Sequence, residues 1–170
     1  MKHALAFIAL LLTATFVNAE ILPTAEKWTK RSLVDDFKET TETYYVVRGH
    51  GQVNYSDDKD WNWLTYWPER KTLSLRTDGF YACGDSMSTP DQQTVQFRIN
   101  DDSIMSMVLF RYHSSYSWSA YSFNTTQSLK IKKALANGGT LRFRVDTACG
   151  SSQHRFDGKI VLEQKFPSNS

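Results

Sequence analysis

The chain has 170 residues, of which 41% are hydrophobic, and its 20 Lys and Arg residues nearly balance its 18 Asp and Glu residues. This balance gives no electrostatic reason to expect a nucleic-acid partner, because binding to a phosphate backbone needs a clustered basic surface. The length fits a single domain with one hydrophobic core.

Residues 1–19 have the pattern of a cleavable secretory signal peptide. A short basic start precedes an apolar run at 4–16, and Ala19 is a small residue after which we expect cleavage. The run is shorter than the roughly 20 apolar residues that span a bilayer, and no second hydrophobic segment follows it. We therefore expect an exported protein with a mature domain at 20–170 and no transmembrane segment. A retained N-terminal anchor is the alternative.

Seven segments of the mature chain are rich in β-branched and aromatic residues, and we predict them as strands. They are 43–47, 72–76, 94–99, 104–112, 117–123, 141–145 and 155–162. Apolar residues alternate with polar ones in several of these segments, which predicts sheets with one buried face. The predicted inward residues are Leu73, Leu75, Val95, Phe97, Ile99, Leu141, Phe143 and Val145.

Residues that form turns separate the predicted strands. About seven strands with frequent turns predict a mainly β fold, a single-domain antiparallel β-sandwich. One short helix is predicted at 126–136, where apolar residues form a partial face and Asn137 with Gly138 supplies a stop. Thr125 or Thr126 is the expected N-cap.

The mature chain contains two cysteines, Cys83 and Cys149. An even number of cysteines in an exported protein can pair, so we expect a disulfide between them. Two buried free thiols are the alternative. Neither cysteine has the Cys-x-x-Cys or paired-His spacing of a metal centre, and we expect neither a metal nor a cofactor.

An aromatic cluster is the most conspicuous local feature: Trp61, Trp63, Tyr66 and Trp67 follow an acidic run. Flat amphipathic rings dominate contacts with sugars and partner proteins, so the cluster is a candidate binding platform. Aromatic rings also fill cores and cover sheet ends, and Trp61 and Trp63 are spaced as on one face of a strand. Core packing is therefore the competing interpretation.

A second aromatic tract, at 112–123, interleaves large rings with serines and includes Tyr116 and Trp118. Tyr and Trp provide contact area at little entropic cost while Ser forms hydrogen bonds, so the tract resembles an adaptable binding surface. An ordinary half-buried pair of strands has the same composition. Tyr116 and Trp118 join the first cluster as candidate binding residues.

No catalytic residue is predicted. His50, His113 and His154 occur without a Gly-x-Ser-x-Gly elbow or a His-Glu-x-x-His helix. The acidic doublets at 35–36 and 101–102 are candidates for a hydrolytic carboxylate pair. Acidic doublets in turns more often cap a helix or face solvent, and we favour that interpretation.

Several segments, taken in order, resemble the periplasmic accessory protein family associated with bacterial type VI secretion. They are WTKRSLVDD at 28–36, TLSLR at 72–76, VQFRIND at 95–101, IKKAL at 131–135, LRFRV at 141–145 and RFDG at 155–158. The resemblance spans most of the mature chain and implies an accessory role in a bacterial periplasm.

These features together predict an exported accessory or binding protein of the bacterial envelope, periplasmic or secreted, that acts without catalysis. The expected partner is another envelope protein or a cell-wall component. The alternatives are a secreted inhibitor or recognition protein that uses an aromatic surface, and a cell-wall or glycan hydrolase. The oligomeric state stays open, as does glycosylation at Asn54 and Asn124, which each begin an Asn-x-Ser/Thr motif.

Overall fold

The computed structural model describes residues 26–36, 39–54, 60–80, 91–115, 118–149 and 152–167. The predicted signal peptide at 1–19 lies outside these ranges, as do Cys83 and Tyr116. The disulfide between Cys83 and Cys149 therefore stays a prediction. The described part of the chain contains no helix with the length and apolar character of a membrane span.

The described residues form nine β-strands and one α-helix, which confirms the predicted mainly β class. The strands are β1 Thr29–Asp35, β2 Thr40–Val53, β3 Asp60–Trp67, β4 Thr72–Asp78, β5 Asp91–Ile99, β6 Met105–Ser115, β7 Trp118–Ser122, β8 Gly139–Cys149 and β9 Ser152–Leu162. Helix α1, Thr125–Ala134, lies between β7 and β8. β1 and β3 are additions to the predicted strands.

The predicted β-sandwich is wrong, because the described strands form one antiparallel sheet that closes on itself. The sheet order is β1-β2-β3-β4-β7-β6-β5-β8-β9, and residues 50–53 of β2 also pair with β9. Eight of the described strands, β2 to β9, make a closed barrel, while β1 pairs with the first part of β2. The alternation of apolar and polar residues cannot distinguish a barrel from a sandwich, since both folds bury one face of each strand.

Glycines permit the close packing at the seam between β2 and β9. Gly51 lies opposite Gly158 across the seam. A Cβ atom on Gly51 would stand 2.2 Å from Cζ of Phe156, and a Cβ atom on Gly158 would stand 2.1 Å from Cζ of Phe143. Each glycine therefore leaves the space that an inward aromatic ring occupies, a use of glycine that recurs at bends of barrels.

The hydrophobic core fills the barrel interior. All the predicted inward residues are buried, which confirms the alternation pattern: Leu73, Leu75, Val95, Phe97, Ile99, Leu141, Phe143 and Val145. A series of aromatic rings joins the strands inside the barrel. The ring centroids lie 6.5 Å apart for Phe97 and Phe143, 5.7 Å for Phe143 and Phe156, and 5.6 Å for Phe156 and Phe80.

A capping box starts helix α1. The Asn124 side chain accepts a hydrogen bond from the Gln127 N–H, and the Gln127 side chain accepts one from the Asn124 N–H, each at 2.9 Å. The cap is therefore Asn124, and the expectation of Thr125 or Thr126 is wrong. Asn124 is the cap because the capping box satisfies two backbone N–H groups. A threonine cap one residue later would leave those groups to solvent.

Helix α1 packs over the end of the barrel at which β4 begins. The Leu73 N–H donates a hydrogen bond of 2.9 Å to Oγ of Ser128. Ile131 and Leu135 are fully buried, whereas Leu129 is 52% exposed on the opposite side. The helix thus covers one end of the barrel and leaves the outer surface of the strands open.

Candidate functional site

The predicted cluster on β3 is divided between the two faces of the barrel wall. Tyr66 faces the interior, is only 4% exposed, and its hydroxyl accepts a hydrogen bond of 2.6 Å from Nζ of Lys132. Trp61 is 38% exposed on the outside. Trp63 and Trp67 share that outer face and are half-buried. Tyr66 therefore belongs to the core, and three tryptophans are left as the candidate platform.

Strand β4 connects this platform to the second predicted tract. Nε1 of Trp63 donates a hydrogen bond of 2.9 Å to Oδ2 of Asp78, whose Oδ1 accepts one of 2.7 Å from Nε of Arg76. The guanidinium carbon of Arg76 lies 4.8 Å from the ring centroid of Trp118. The register causes this arrangement, since Arg76 lies opposite Trp63 and Asp78 lies opposite Trp118. Two aromatic segments that are distant in the sequence thus form one surface.

Neighbouring side chains hold the other two tryptophans in place. The guanidinium carbon of Arg48 lies 4.0 Å from the ring centroid of Trp61. The ring of Trp67 stacks on Tyr44 at 4.6 Å, and Arg70 lies 4.7 Å from its centroid. Each cation–π contact at an exposed site contributes about 0.5–1 kcal/mol, which restricts the orientation of the ring.

An exposed apolar stripe on β6 extends the same surface. Val108 is 52% exposed, Phe110 46% and Tyr112 47%, and all three point outward. Tyr112 lies opposite Ala120 of β7, which in turn lies opposite Arg76 of β4. The stripe therefore continues the row that starts at Trp63. We call the combined surface the outer aromatic face: Trp61, Trp63, Trp67, Phe110, Tyr112 and Trp118.

A shallow groove runs along one side of the outer aromatic face. Its volume is about 260 Å³, and its lining includes Tyr44, Trp63, Arg76 and Asp78. The groove combines an aromatic wall with an ion pair, so a partner that enters it meets both apolar and charged groups.

The barrel interior becomes polar at the end away from α1. Thr77, Arg111 and Ser119 are buried there around Tyr121. Burial raises the pKa of the Tyr121 hydroxyl well above its ordinary value, although the nearby Ser119 and Thr77 side chains and the positive charge of Arg111 oppose the shift. Tyr121 therefore stays protonated at neutral pH and can both donate and accept hydrogen bonds.

Asn62 is the least satisfied group in this polar end. It is 0% exposed, and among the described residues neither its Nδ2 nor its Oδ1 has a hydrogen-bond partner. An unsatisfied buried polar group costs about 1–3 kcal/mol.

We expect Asn62→Val to raise the free energy of unfolding by about 1–2 kcal/mol, because valine suits a strand and removes the amide. Urea unfolding checks this, with Asn62→Asp as a destabilising control. A valine variant less stable than the wild type would contradict the expectation.

The candidate acid–base residues are dispersed in the structure. Asp35 lies on β1, whereas Asp101 lies in the turn after β5 with its side chain 98% exposed. Nδ1 of His154 lies 3.3 Å from Nδ2 of Asn54, and the side chain of His113 lies outside the described part. Within the described ranges, no three His, Cys, Asp or Glu side chains are grouped so as to hold a metal ion. A function without catalysis or cofactor stays a prediction.

Sequence reasoning missed one residue of the outer aromatic face and the two residues that connect its tryptophans. Phe110 was placed in a predicted strand but not on a candidate surface, and Arg76 and Asp78 were not recognised as links between tryptophans. A signal for Phe110 is present in the sequence, because the run at 107–110 is apolar at both odd and even positions. Such a run is typical of a strand that is covered on both faces. The links through Arg76 and Asp78, by contrast, depend on which residues of β4 lie opposite those of β3 and β7. The sequence of β4 does not show that register.

Comparisons with protein-family models, with curated proteins and with solved structures find no match to this chain.

Proposed function

We propose that the protein is an exported, non-catalytic binding protein of the bacterial envelope, and that its outer aromatic face contacts a partner protein. One observation carries the proposal: Val108, Phe110 and Tyr112 are 46–52% exposed at successive outward positions of one strand. An exposed apolar patch of this kind, beside charged residues, is characteristic of an interaction site.

The composition of the face supports binding. Trp, Tyr and Arg are the residues that most often dominate the binding energy of protein interfaces. Trp63 is fixed by its hydrogen bond to Asp78, and Arg76 is fixed between Asp78 and the ring of Trp118. Side chains that are ordered before binding lose less entropy when the complex forms, so this arrangement favours affinity.

The chemistry of the β6 stripe favours a protein partner over a cell-wall sugar. Val108 and Phe110 have no polar side-chain atoms, and they lie on β6 next to Tyr112, where the row that starts at Trp63 ends. Sugar hydroxyls placed against them would lose water without gaining hydrogen bonds, which is unfavourable. Apolar side chains of a partner protein would bury area there at no such cost.

The envelope location in this proposal comes from two sequence patterns. One is the signal-peptide pattern at 1–19, and the other is the resemblance to the periplasmic accessory proteins of type VI secretion. A secreted recognition protein would use the same outer aromatic face. The origin of the captured partner, from the producing cell or from another cell, separates the two roles.

Capture of the partner from envelope extract tests the proposal. We expect Phe110→Ser combined with Tyr112→Ser to lower recovery of the main partner at least about ten-fold, because two interface anchors are lost. Leu129→Ser is the matched control, since Leu129 is similarly exposed but lies on α1. Circular dichroism would verify that each variant is folded. Unchanged recovery with the double variant, or equal loss with Leu129→Ser, would refute the proposal.

A further inference from the structure

Three cations lie side by side on the outer surface of the barrel, away from the β6 stripe. Arg98 of β5 is opposite Arg142 of β8, and Arg142 is opposite Lys159 of β9. The row continues to His50 of β2, which is opposite Lys159. With strands about 4.8 Å apart, these four residues span roughly 14 Å across four adjacent strands. We call Arg98, Arg142, Lys159 and His50 the basic row.

Like charges directly opposite each other on neighbouring strands destabilise a sheet. The next rows on the same strands avoid this conflict. Nε of Arg144 is 2.6 Å from Oδ1 of Asp157, and Nε of Arg155 is 2.6 Å from Oδ1 of Asp146. The fold therefore pairs opposite charges in the next two rows on one side but leaves cations together in the basic row, and folding alone gives no reason for that difference.

The groups around the basic row do not neutralise its positive charge. Arg98 donates to the carbonyl oxygen of Asp102 at 3.0 Å, and Arg142 donates to that of Asn100 at 2.9 Å. The nearest carboxylate to Arg142 is that of Asp101, at 3.9 Å and almost fully exposed. These bonds fix the two guanidinium groups against one turn while leaving most of their charge uncompensated.

Three members of the basic row line one groove. The groove has a volume of about 470 Å³, and Arg98, Arg142 and Lys159 face it together with Gln96 and the Arg144–Asp157 ion pair. Lys159 forms no ion pair within the part of the chain that the structure describes. The groove thus offers the remaining N–H groups of two guanidinium groups, one ammonium group and one amide to a negatively charged ligand.

We propose that the basic row binds a linear polysaccharide that carries carboxylate groups. The N–H groups of Arg98 and Arg142 that do not donate to the turn can form charge-assisted hydrogen bonds with carboxylates, and the amide of Gln96 can bond a sugar hydroxyl. The row is one residue wide and follows the curved wall of a closed barrel. A flexible single chain can follow it, whereas a flat membrane or a rigid duplex reaches only part of it.

Single-stranded nucleic acid fits the basic row less well than an acidic sugar chain. Proteins that bind single strands combine a basic groove with several aromatic rings on which bases stack. The aromatic ring nearest the row is Trp61, opposite His50, and Arg48 already covers it at 4.0 Å. The groove beside Arg98 and Lys159 contains phenylalanines only as inward core residues.

Calorimetric titration with polygalacturonate, at physiological ionic strength, tests this proposal. We expect Arg98→Gln combined with Lys159→Gln to weaken binding at least about ten-fold, since two charge-assisted contacts are lost. The matched control is Lys130→Gln with Lys133→Gln, two exposed lysines of α1 whose loss changes the net charge equally. We expect the control to weaken binding less than about two-fold.

Three further probes have defined outcomes. Neutral dextran should not bind, and dextran sulfate should bind more weakly than polygalacturonate if carboxylate is the recognised group. Tighter binding of oligo-dT than of polygalacturonate would overturn the proposal in favour of nucleic acid. Equal loss of affinity in the two double variants would also overturn it, because net charge alone would then explain binding. The capture experiment on Phe110 and Tyr112 is independent of these results.

Discussion

Replacement of Phe156 by alanine is expected to lower the free energy of unfolding by about 3–5 kcal/mol, the usual range for deleting a buried phenylalanine ring. Phe156 is fully buried and lies between Val145 of β8 and Val53 of β2. Its ring stacks on Phe143 at 5.7 Å and lies directly over Gly51. The variant therefore leaves a cavity at the seam between β2 and β9. Gly51, which has no side chain, cannot fill that cavity.

Denaturant unfolding followed by tryptophan fluorescence measures this loss. Val108→Ala is the matched control, because Val108 is an apolar strand residue that is 52% exposed on the outside. Its removal should change stability by no more than about 0.5 kcal/mol. If Phe156→Ala cost no more than the control, the seam between β2 and β9 would not be part of the stable structure.

Gly158→Ala is expected to destabilise the protein by about 1–3 kcal/mol, because it overpacks a filled core. The added Cβ would stand 2.1 Å from Cζ and 2.3 Å from Cε1 of Phe143. Phe143 is 3% exposed and packs against the rings of Phe97 and Phe156, so it has no open space to enter. The strain must be taken up by the strands or by several rings at once.

A double-mutant cycle separates this clash from the general effect of removing a glycine. In a Phe143→Ala background the ring is absent, so Gly158→Ala should cost nearly nothing or should stabilise, since alanine restricts the unfolded chain. Equal costs of Gly158→Ala in both backgrounds, measured by urea unfolding, would show that the ring of Phe143 does not lie over Gly158.

The inward faces of the strands could be predicted from sequence because burial imposes a period of two. Val95, Phe97 and Ile99 illustrate this, since each is fully buried as expected. Closure of the sheet could not be predicted in the same way. It depends on Gly51 meeting Gly158 across the seam, and a glycine in a strand is equally compatible with a bulge or an edge.

The candidate site could be predicted only in part. Trp61, Trp63 and Trp67 stand out by their local density, and the period of two that puts Trp61 and Trp63 on one face of a strand also puts Tyr66 on the other. That step needs β3 as a strand, which the sequence analysis does not predict. The link through Arg76 and Asp78 depends on the pairing of β4 with both β3 and β7. Long-range register of this kind is set by the whole fold, so no local pattern reveals it.

Site-specific photo-crosslinking in the producing cells tests the central claim most directly. A photoreactive amino acid would replace Phe110 on the outer aromatic face in one variant and Leu129 on helix α1 in another, two positions of similar exposure. We expect one dominant crosslinked partner protein from position 110 and none from position 129. Equal adducts from both positions, or a co-purifying partner that never crosslinks at 110, would contradict the claim that the outer aromatic face is the contact surface.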